Sequence, residues 1–297
     1  MFNKVLIIGC GLIGSSILRA ILIKKLAKKI FIFEKSKKNI STIKKIDKKL
    51  TFLKKIDKNI NDVDFVILST PMSSYEKILQ DLNKFLKSKS LITDVGSTRE
   101  NVFNLKEKKL KKSLTWILSH PISGSEVSGP QYGRKNLFEN KWCIILKDKN
   151  KAKLNKVERF WKKIGSNVIL MEPKEHDKIF AITSHLPHLI AYNLIKTAID
   201  FQKKEKKNLI KFSAGGLRDF SRIASSNEIM WRDIFFNNKK NMILAINLFI
   251  KNLNSFKKNI QNLDDKNLIK KLGSSKKVRK QIVQLKQDIA KPDFGRE

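Results

Sequence analysis

His120 stands near the head of Ser119-His120-Pro121-Ile122-Ser123-Gly124-Ser125-Glu126, directly after the apolar run Leu114-Thr115-Trp116-Ile117-Leu118. An imidazole carried off the end of a buried strand into a small-residue turn suits a general base, because its ordinary pKa is near neutrality and the strand fixes its place. Two later stretches carry chemistry that complements it. In Ser184-His185-Leu186-Pro187-His188 a helical pattern is interrupted. Pro187 removes a backbone donor and should kink the helix, presenting polar groups beside two histidines as a site wall. Lone helical histidines more often serve packing, and the His-x-x-His pair has no third ligand at a convincing spacing, so no metal site is expected. In Ser213-Ala214-Gly215-Gly216-Leu217-Arg218-Asp219-Phe220-Ser221-Arg222-Ile223-Ala224 two arginines stand four apart on one helical face. An arginine fork suits bidentate binding of a carboxylate, the alternative being surface pairing with Asp219 or Glu228.

The elements that must position these groups begin at the N-terminus. Residues 3–9 read as a strand, followed at once by Gly9-Cys10-Gly11-Leu12-Ile13-Gly14, a helical pattern to about Ala27, and a second strand, Ile30-Phe31-Ile32-Phe33, that ends in Glu34. A glycine turn alone says little, but the complete unit, with a carboxylate 20 residues after Gly14, is the dinucleotide-binding pattern. Gly9 permits the tight turn, Gly11 lets the backbone approach a pyrophosphate, Gly14 lets helix and strand pack closely, and the helix N-terminus with Leu12 and Ile13 faces the phosphates. Glu34 can accept from both ribose hydroxyls and would repel a 2′-phosphate, which favours NAD over NADP. The following Lys35-Ser36-Lys37-Lys38 pulls the other way.

The strand-like runs 65–68 and 91–93 lead into Ser69-Thr70-Pro71 and Asp94-Val95-Gly96-Ser97, with an amphipathic helix at about 74–87 between them. This alternation predicts an α/β fold built on a Rossmann-type, doubly wound, mostly parallel sheet, with both turns at the carboxyl ends where ligands sit. Ser97 would offer a hydroxyl there, cap a helix whose first turn is Thr98-Arg99-Glu100, or do both at once. The apolar runs within 142–170 read as extending the same sheet. From about residue 173 strand signals vanish and helical patterns cover 174–200, 206–224, 226–237, 239–262 and 264–288. The division expected is a nucleotide-binding domain at 1–171 and an all-helical domain for substrate and dimerisation at 172–297.

Composition limits the alternatives. With 297 residues and 41% hydrophobic content the chain is a folded globular protein. It has no run long enough to span a membrane and no signal-peptide layout at its start. Two cysteines give no disulfide framework, so a reduced cytoplasm is expected. The net charge of +36 raises nucleic acid or an anionic membrane as partners, but lysine far outnumbers arginine and is spread over nearly every element, unlike the concentrated patch of a nucleic-acid reader. Neither partner is expected. A Rossmann module that senses NAD and binds nucleic acid would use the charge, yet would leave His120, His188 and Arg222 without a task.

Taken together these motifs resemble the prephenate/arogenate dehydrogenase family of tyrosine biosynthesis. The resemblance rests on the glycine turn, Asp94-Val95-Gly96-Ser97, the His120 block, the Ser184–His188 block, the Gly215–Ala224 block and Met230-Trp231-Arg232-Asp233, in family order over about residues 3–260. The tail Lys291-Pro292-Asp293-Phe294-Gly295-Arg296 looks like one subgroup. The family's reaction is an NAD(P)-dependent oxidative decarboxylation. The resemblance implies His120 as base, Ser97 orienting the reacting hydroxyl or His120, His188 contacting substrate and Arg222 holding a substrate carboxylate. Ser125 and Glu126 would stand on the substrate or nicotinamide wall, with Ser69, Thr70 and Pro71 against the cofactor. The two-part architecture predicts a homodimer through the helical half, and the resemblance implies prephenate as substrate before arogenate or both. Hydroxy-acid dehydrogenases share the two-part layout but generally rely on a lysine in the helical part, which the His120 block fits less well.

Overall fold

The computed structural model describes residues 2–87 and 89–285. Six strands, β1 (Phe2–Ile8), β2 (Ala27–Phe33), β3 (Thr51–Phe52), β4 (Phe65–Leu68), β5 (Leu91–Asp94) and β6 (Thr115–Ile117), form one parallel sheet in the order β3-β2-β1-β4-β5-β6. Helices cover both faces, which is why the central strands read as unbroken apolar runs. Alternate residues divide between two cores. Val5, Ile7, Phe65, Ile67 and Leu91 pack with helices α1 (Leu12–Ile23), α2 (Lys37–Lys44) and α5 (Lys151–Lys163). Leu6, Ile8, Val66, Leu68 and Ile92 pack with α3 (Tyr75–Phe85) and α4 (Glu100–Lys109).

The parallel sheet stops at β6. The expectation that residues 142–170 extend it is corrected: β7 (Ser119–Pro121), β8 (Trp142–Leu146) and β9 (Asn167–Met171) form a second, three-stranded sheet in which β7 runs antiparallel to β8. The cause lies at Ser119, whose hydroxyl donates to the Asp94 carbonyl at 2.6 Å while its N–H reaches the Asp94 carboxylate at 3.3 Å. These bonds draw the chain across the end of β5 and hand it to a new partner strand. His120 is thereby lifted off the main sheet's edge and set opposite Ile144.

After Met171 the described elements are helical. The pattern expected over 174–200 is α6 (Pro173–Phe180), a π turn (Ala181–His185) and α7 (Leu186–Glu205). The break therefore precedes Pro187, the wide π turn absorbing the missing donor. The single helix expected at 206–224 is broken by Lys206, whose φ of +53° ends α7, and resumes only as α8 (Gly215–Ile223). Helices α9 (Glu228–Asn237), α10 (Lys239–Gln261) and α11 (Asp265–Gln284) follow. Residues 286–288 of the last predicted helix, and the tail 291–296, lie outside the described residues. No described helix is long and apolar enough to cross a membrane.

Candidate active site

One cavity of about 840 Å³ runs between the carboxyl ends of β1, β4 and β5 and the helical half. Its sheet-side rim is the glycine turn. Gly9 has φ +80°, and a Cβ there would lie 2.6 Å from the Thr70 methyl and 2.7 Å from the Ser69 carbonyl oxygen. A Cβ on Gly14 would overlap the Gly9 carbonyl oxygen, so both glycines serve packing behind the rim. Gly11 has open space instead, and with Leu12 and Ile13 it lines the cavity at the start of α1. Ser69, Thr70 and Pro71 line it beside them, and the Ser69 hydroxyl donates to the Gly9 carbonyl at 2.6 Å. Glu34 does not line the cavity; its carboxylate accepts the Cys10 N–H at 2.8 Å and the Ser36 N–H at 2.9 Å. Two lone-pair positions remain for hydroxyls, so the turn fits a dinucleotide's pyrophosphate and ribose.

His120 is buried in the cavity wall, and its Nδ1 lies 2.8 Å from Nε2 of His176. Burial, then the neighbouring His176, Arg99 and His185, hold its imidazole well below the usual histidine range, which keeps it neutral. Ser97 lines the cavity on the next turn. The expectation that Ser97 caps α4 is corrected: the helix begins at Glu100, and the carboxylate of Asp177 on α6 accepts the N–H groups of Arg99 at 2.7 Å and Glu100 at 2.9 Å. Asp177 takes the capping task and leaves the serine hydroxyl to the cavity. Beneath this turn Arg99 makes a fully buried two-pronged pair with Asp94, at 2.7 and 3.1 Å, while Asp94 also accepts from Trp116 Nε1, Tyr75 and Gly96. With every lone pair engaged, the buried charges are compensated and the end of β5 is fixed.

The helical wall brings in His188, Arg222, Trp231 and Asp233. His188 stacks on Trp231 with ring centres 3.8 Å apart, and its Nδ1 contacts the Ser184 carbonyl at 2.9 Å. Arg222 Nη1 lies 3.3 Å from Glu126, which also accepts from the Ser125 hydroxyl at 2.8 Å. Its own backbone N–H, then that hydroxyl, hold the Glu126 carboxyl below its ordinary range. Ser123 Oγ, Arg222 Nε and Trp231 Nε1 are buried polar atoms of this cavity without a partner among the described residues. Such atoms are costly unless a ligand satisfies them. Ser97, Ser125, Glu126, His120, His188 and Arg222 thus meet in one place although up to 125 positions separate them in the chain.

Two residues of the site escaped the sequence reading. His176 and Asp177 sit in the middle of α6, fully buried, with His176 Nδ1 at 2.8 Å from Asp177. The adjacent pair is visible in the sequence, but nothing in its spacing points to His120, 56 residues away.

A glycine turn at the head of a doubly wound sheet, facing a histidine and a helical wall across one cavity, defines a two-part nicotinamide dehydrogenase. Comparisons with known proteins narrow the class. Residues 19–170 match the family model described as "Prephenate dehydrogenase, nucleotide-binding domain", and residues 172–274 match "Prephenate dehydrogenase, dimerization domain". The chain is 29% identical to the cyclohexadienyl dehydrogenase of Zymomonas mobilis, over 94% of this chain and 96% of that one. It is 31% identical to the prephenate dehydrogenase of Lactococcus lactis, over 93% and 77% respectively. Among solved structures, the prephenate dehydrogenase from A. aeolicus in complex with hydroxyphenyl propionate and NAD+ superposes with a TM-score of 0.87 at 35% identity, covering 95% of this chain and 99% of that one. The chain belongs to the prephenate dehydrogenase family.

Proposed function

We propose that this chain oxidatively decarboxylates prephenate to 4-hydroxyphenylpyruvate with hydride transfer to NAD+, a step of tyrosine biosynthesis. The observation that carries this reading is the neutral His120 in the wall of a cavity that also holds the glycine turn and the Arg222 and His188 wall. NAD+, when bound, accepts the hydride from C4 of the substrate ring. His120 takes the C4 hydroxyl proton as that carbon becomes a carbonyl, holds it while the ring carboxylate leaves as CO₂ and its bonding pair aromatises the ring, and returns it to the phenolate oxygen. Ser97 orients the hydroxyl, Arg222 and His188 hold the substrate's anionic end, and Ser125 and Glu126 form the wall between them. Gly9, Gly11, Leu12, Ile13, Gly14, Ser69, Thr70 and Pro71 cradle the cofactor, with Glu34 on the ribose favouring NAD over NADP.

Arogenate, which carries an ammonium where prephenate has a ketone, is the second reading. Asp233 on the cavity wall accepts from Arg232 at 2.7 Å on one carboxylate oxygen and from the Ser73 N–H at 3.3 Å on the other, which engages it against an ammonium and favours prephenate. We also propose that residues 1–171 and 172–297 form the two working parts, that the helical part pairs two chains as a homodimer, and that the enzyme works in the cytoplasm, where the free, buried Cys10 and Cys143 stay reduced. Burial pushes the Cys10 thiol up to about 12, so it carries no thiolate chemistry. NADH formation with prephenate or arogenate, each with NAD+ or NADP+, tests the whole reading. Turnover of arogenate alone would reverse the substrate choice, and turnover of neither would sink the proposal.

A further inference from the structure

We infer that His176 is a positioning residue that fixes the ring tautomer of His120, leaving Nε2 of His120 unprotonated and ready to accept the substrate's proton. This rests on the reading of His120 as the base. The inference follows one hydrogen at a time, starting from Asp177. Its Oδ1 accepts the Arg99 N–H and its Oδ2 the Glu100 N–H, so both oxygens act as acceptors of fixed donors. The third group on this carboxylate, Nδ1 of His176 at 2.8 Å from Oδ1, must therefore bring its own hydrogen. A second hydrogen on His176 is disfavoured. The ring is fully buried, stacked on Phe180 at 4.4 Å and near the Arg99 cation, and burial followed by Arg99 pushes its pKa down to about 2. A neutral ring with its hydrogen on Nδ1 has a lone pair on Nε2. The 2.8 Å contact with His120 Nδ1 is then a hydrogen bond that only His120 can donate.

With its hydrogen held at Nδ1, neutral His120 carries its lone pair on Nε2. That nitrogen makes no hydrogen bond among the described residues, and it belongs to a ring that lines the cavity. Without an acceptor at Nδ1 the outcome changes, because a free histidine side chain favours the Nε2–H form, which would aim a hydrogen at the reacting hydroxyl. The same Nδ1–H bond stabilises the imidazolium once the proton has moved. The titratable and charged groups packed around His120 are His176 on α6, Arg99 ahead of α4, His185 on the π turn and Cys143 on β8, and none of them supplies a second acceptor for Nδ1. His185 is engaged with Asn238, at 3.1 Å from its Nδ1.

The test is nitrogen NMR of the full-length protein labelled with ¹⁵N-histidine, for the wild type, His176→Leu and His176→Gln, beside their kinetics. His120 of the wild type should show the Nδ1–H form, and His176→Leu should shift it toward Nε2–H with kcat down about 10–100-fold, the usual cost of losing an orienting partner. KM for NAD+ should stay in place. His176→Gln should regain most of kcat, because its amide carbonyl can accept from Nδ1–H. An Nε2–H form in wild-type His120 would overturn the inference, as would equal losses in both variants with the tautomer unchanged. If the leucine variant fails to fold, the wild-type tautomer and the glutamine variant still decide. The spectra read the tautomer whether or not prephenate is turned over, so a failure of the substrate reading appears separately, in wild-type kinetics.

Discussion

The sheet half and the helical half spend similar apolar sequence in different ways. In the sheet half the large side chains are consumed internally: Phe65, Tyr75, Trp116 and Trp161 are fully buried, and two cores fill both faces of the main sheet. In the helical half the buried cluster is Ala181, Met242 and Ala245, while Phe212, Phe236, Leu244, Leu248 and Leu253 remain largely exposed. One half builds a whole interior and can hold the glycine turn rigidly, with His120 fixed between β8 and His176 of α6. The other builds part of one and presents the remainder, as expected of helices that complete their packing against a second chain. The sheet half thus carries the glycine turn and His120, and the helical half carries the exposed apolar face together with His188 and Arg222.

That contrast can be broken at several points. His120→Ala removes the base from the rigid half and should lower kcat by about 10²–10⁴-fold with NAD+ affinity nearly unchanged; weak NAD+ binding, by calorimetry, would make the residue structural instead. Arg222→Ala, on the helical side, should raise KM for prephenate by about 10–100-fold, the worth of a charged hydrogen bond, while kcat changes less. An unchanged KM would remove Arg222 from the substrate site.

Acid should act on the buried histidines as a group. His176 stays neutral in the fold down to about pH 2 and His185 to about pH 4, both through burial, while an unfolded histidine takes its proton near pH 6.5. Stability from each is therefore complete above about pH 6.5 and falls by about 1.4 kcal/mol per pH unit below it. Urea unfolding at about pH 6 and pH 5 reads this slope, and His176→Gln should flatten it; an identical slope would assign the loss elsewhere. Glu34→Ala should weaken NAD+ by about tenfold and NADP+ less, and equal weakening would undo the ribose assignment. Leu248→Asp, on the exposed face of α10, should halve the mass seen by light scattering while leaving the sheet half folded. A dimer that survives it would put the interface on another face.

What could be read from the chain depended on distance along it. The βαβ unit, the glycine turn and the His120, His188 and Arg222 blocks announce themselves through local spacing, and the cavity gathers them. The second sheet was not legible, because β8 is as apolar as β5 and only the Ser119–Asp94 bonds decide which edge it joins. The role of Ser97 was half legible, since a serine ahead of Thr-Arg-Glu is a fair cap until a carboxylate from elsewhere takes the position. The His120–His176 contact was invisible for the same reason: it is made by tertiary packing and leaves no periodicity behind.

The Asp177 cap has a further consequence for how the molecule comes apart. The first amides of α4 belong to the sheet half, and the carboxylate that satisfies them arrives 78 residues later on α6. Until that helix docks, those amides have only water, and the buried Arg99–Asp94 turn beneath them is uncapped. The two halves therefore complete each other's hydrogen bonding at a point neither can finish alone. Their unfolding should be cooperative across the boundary, one transition reported alike by the tryptophans of both halves, Trp116 and Trp161 on one side and Trp231 on the other.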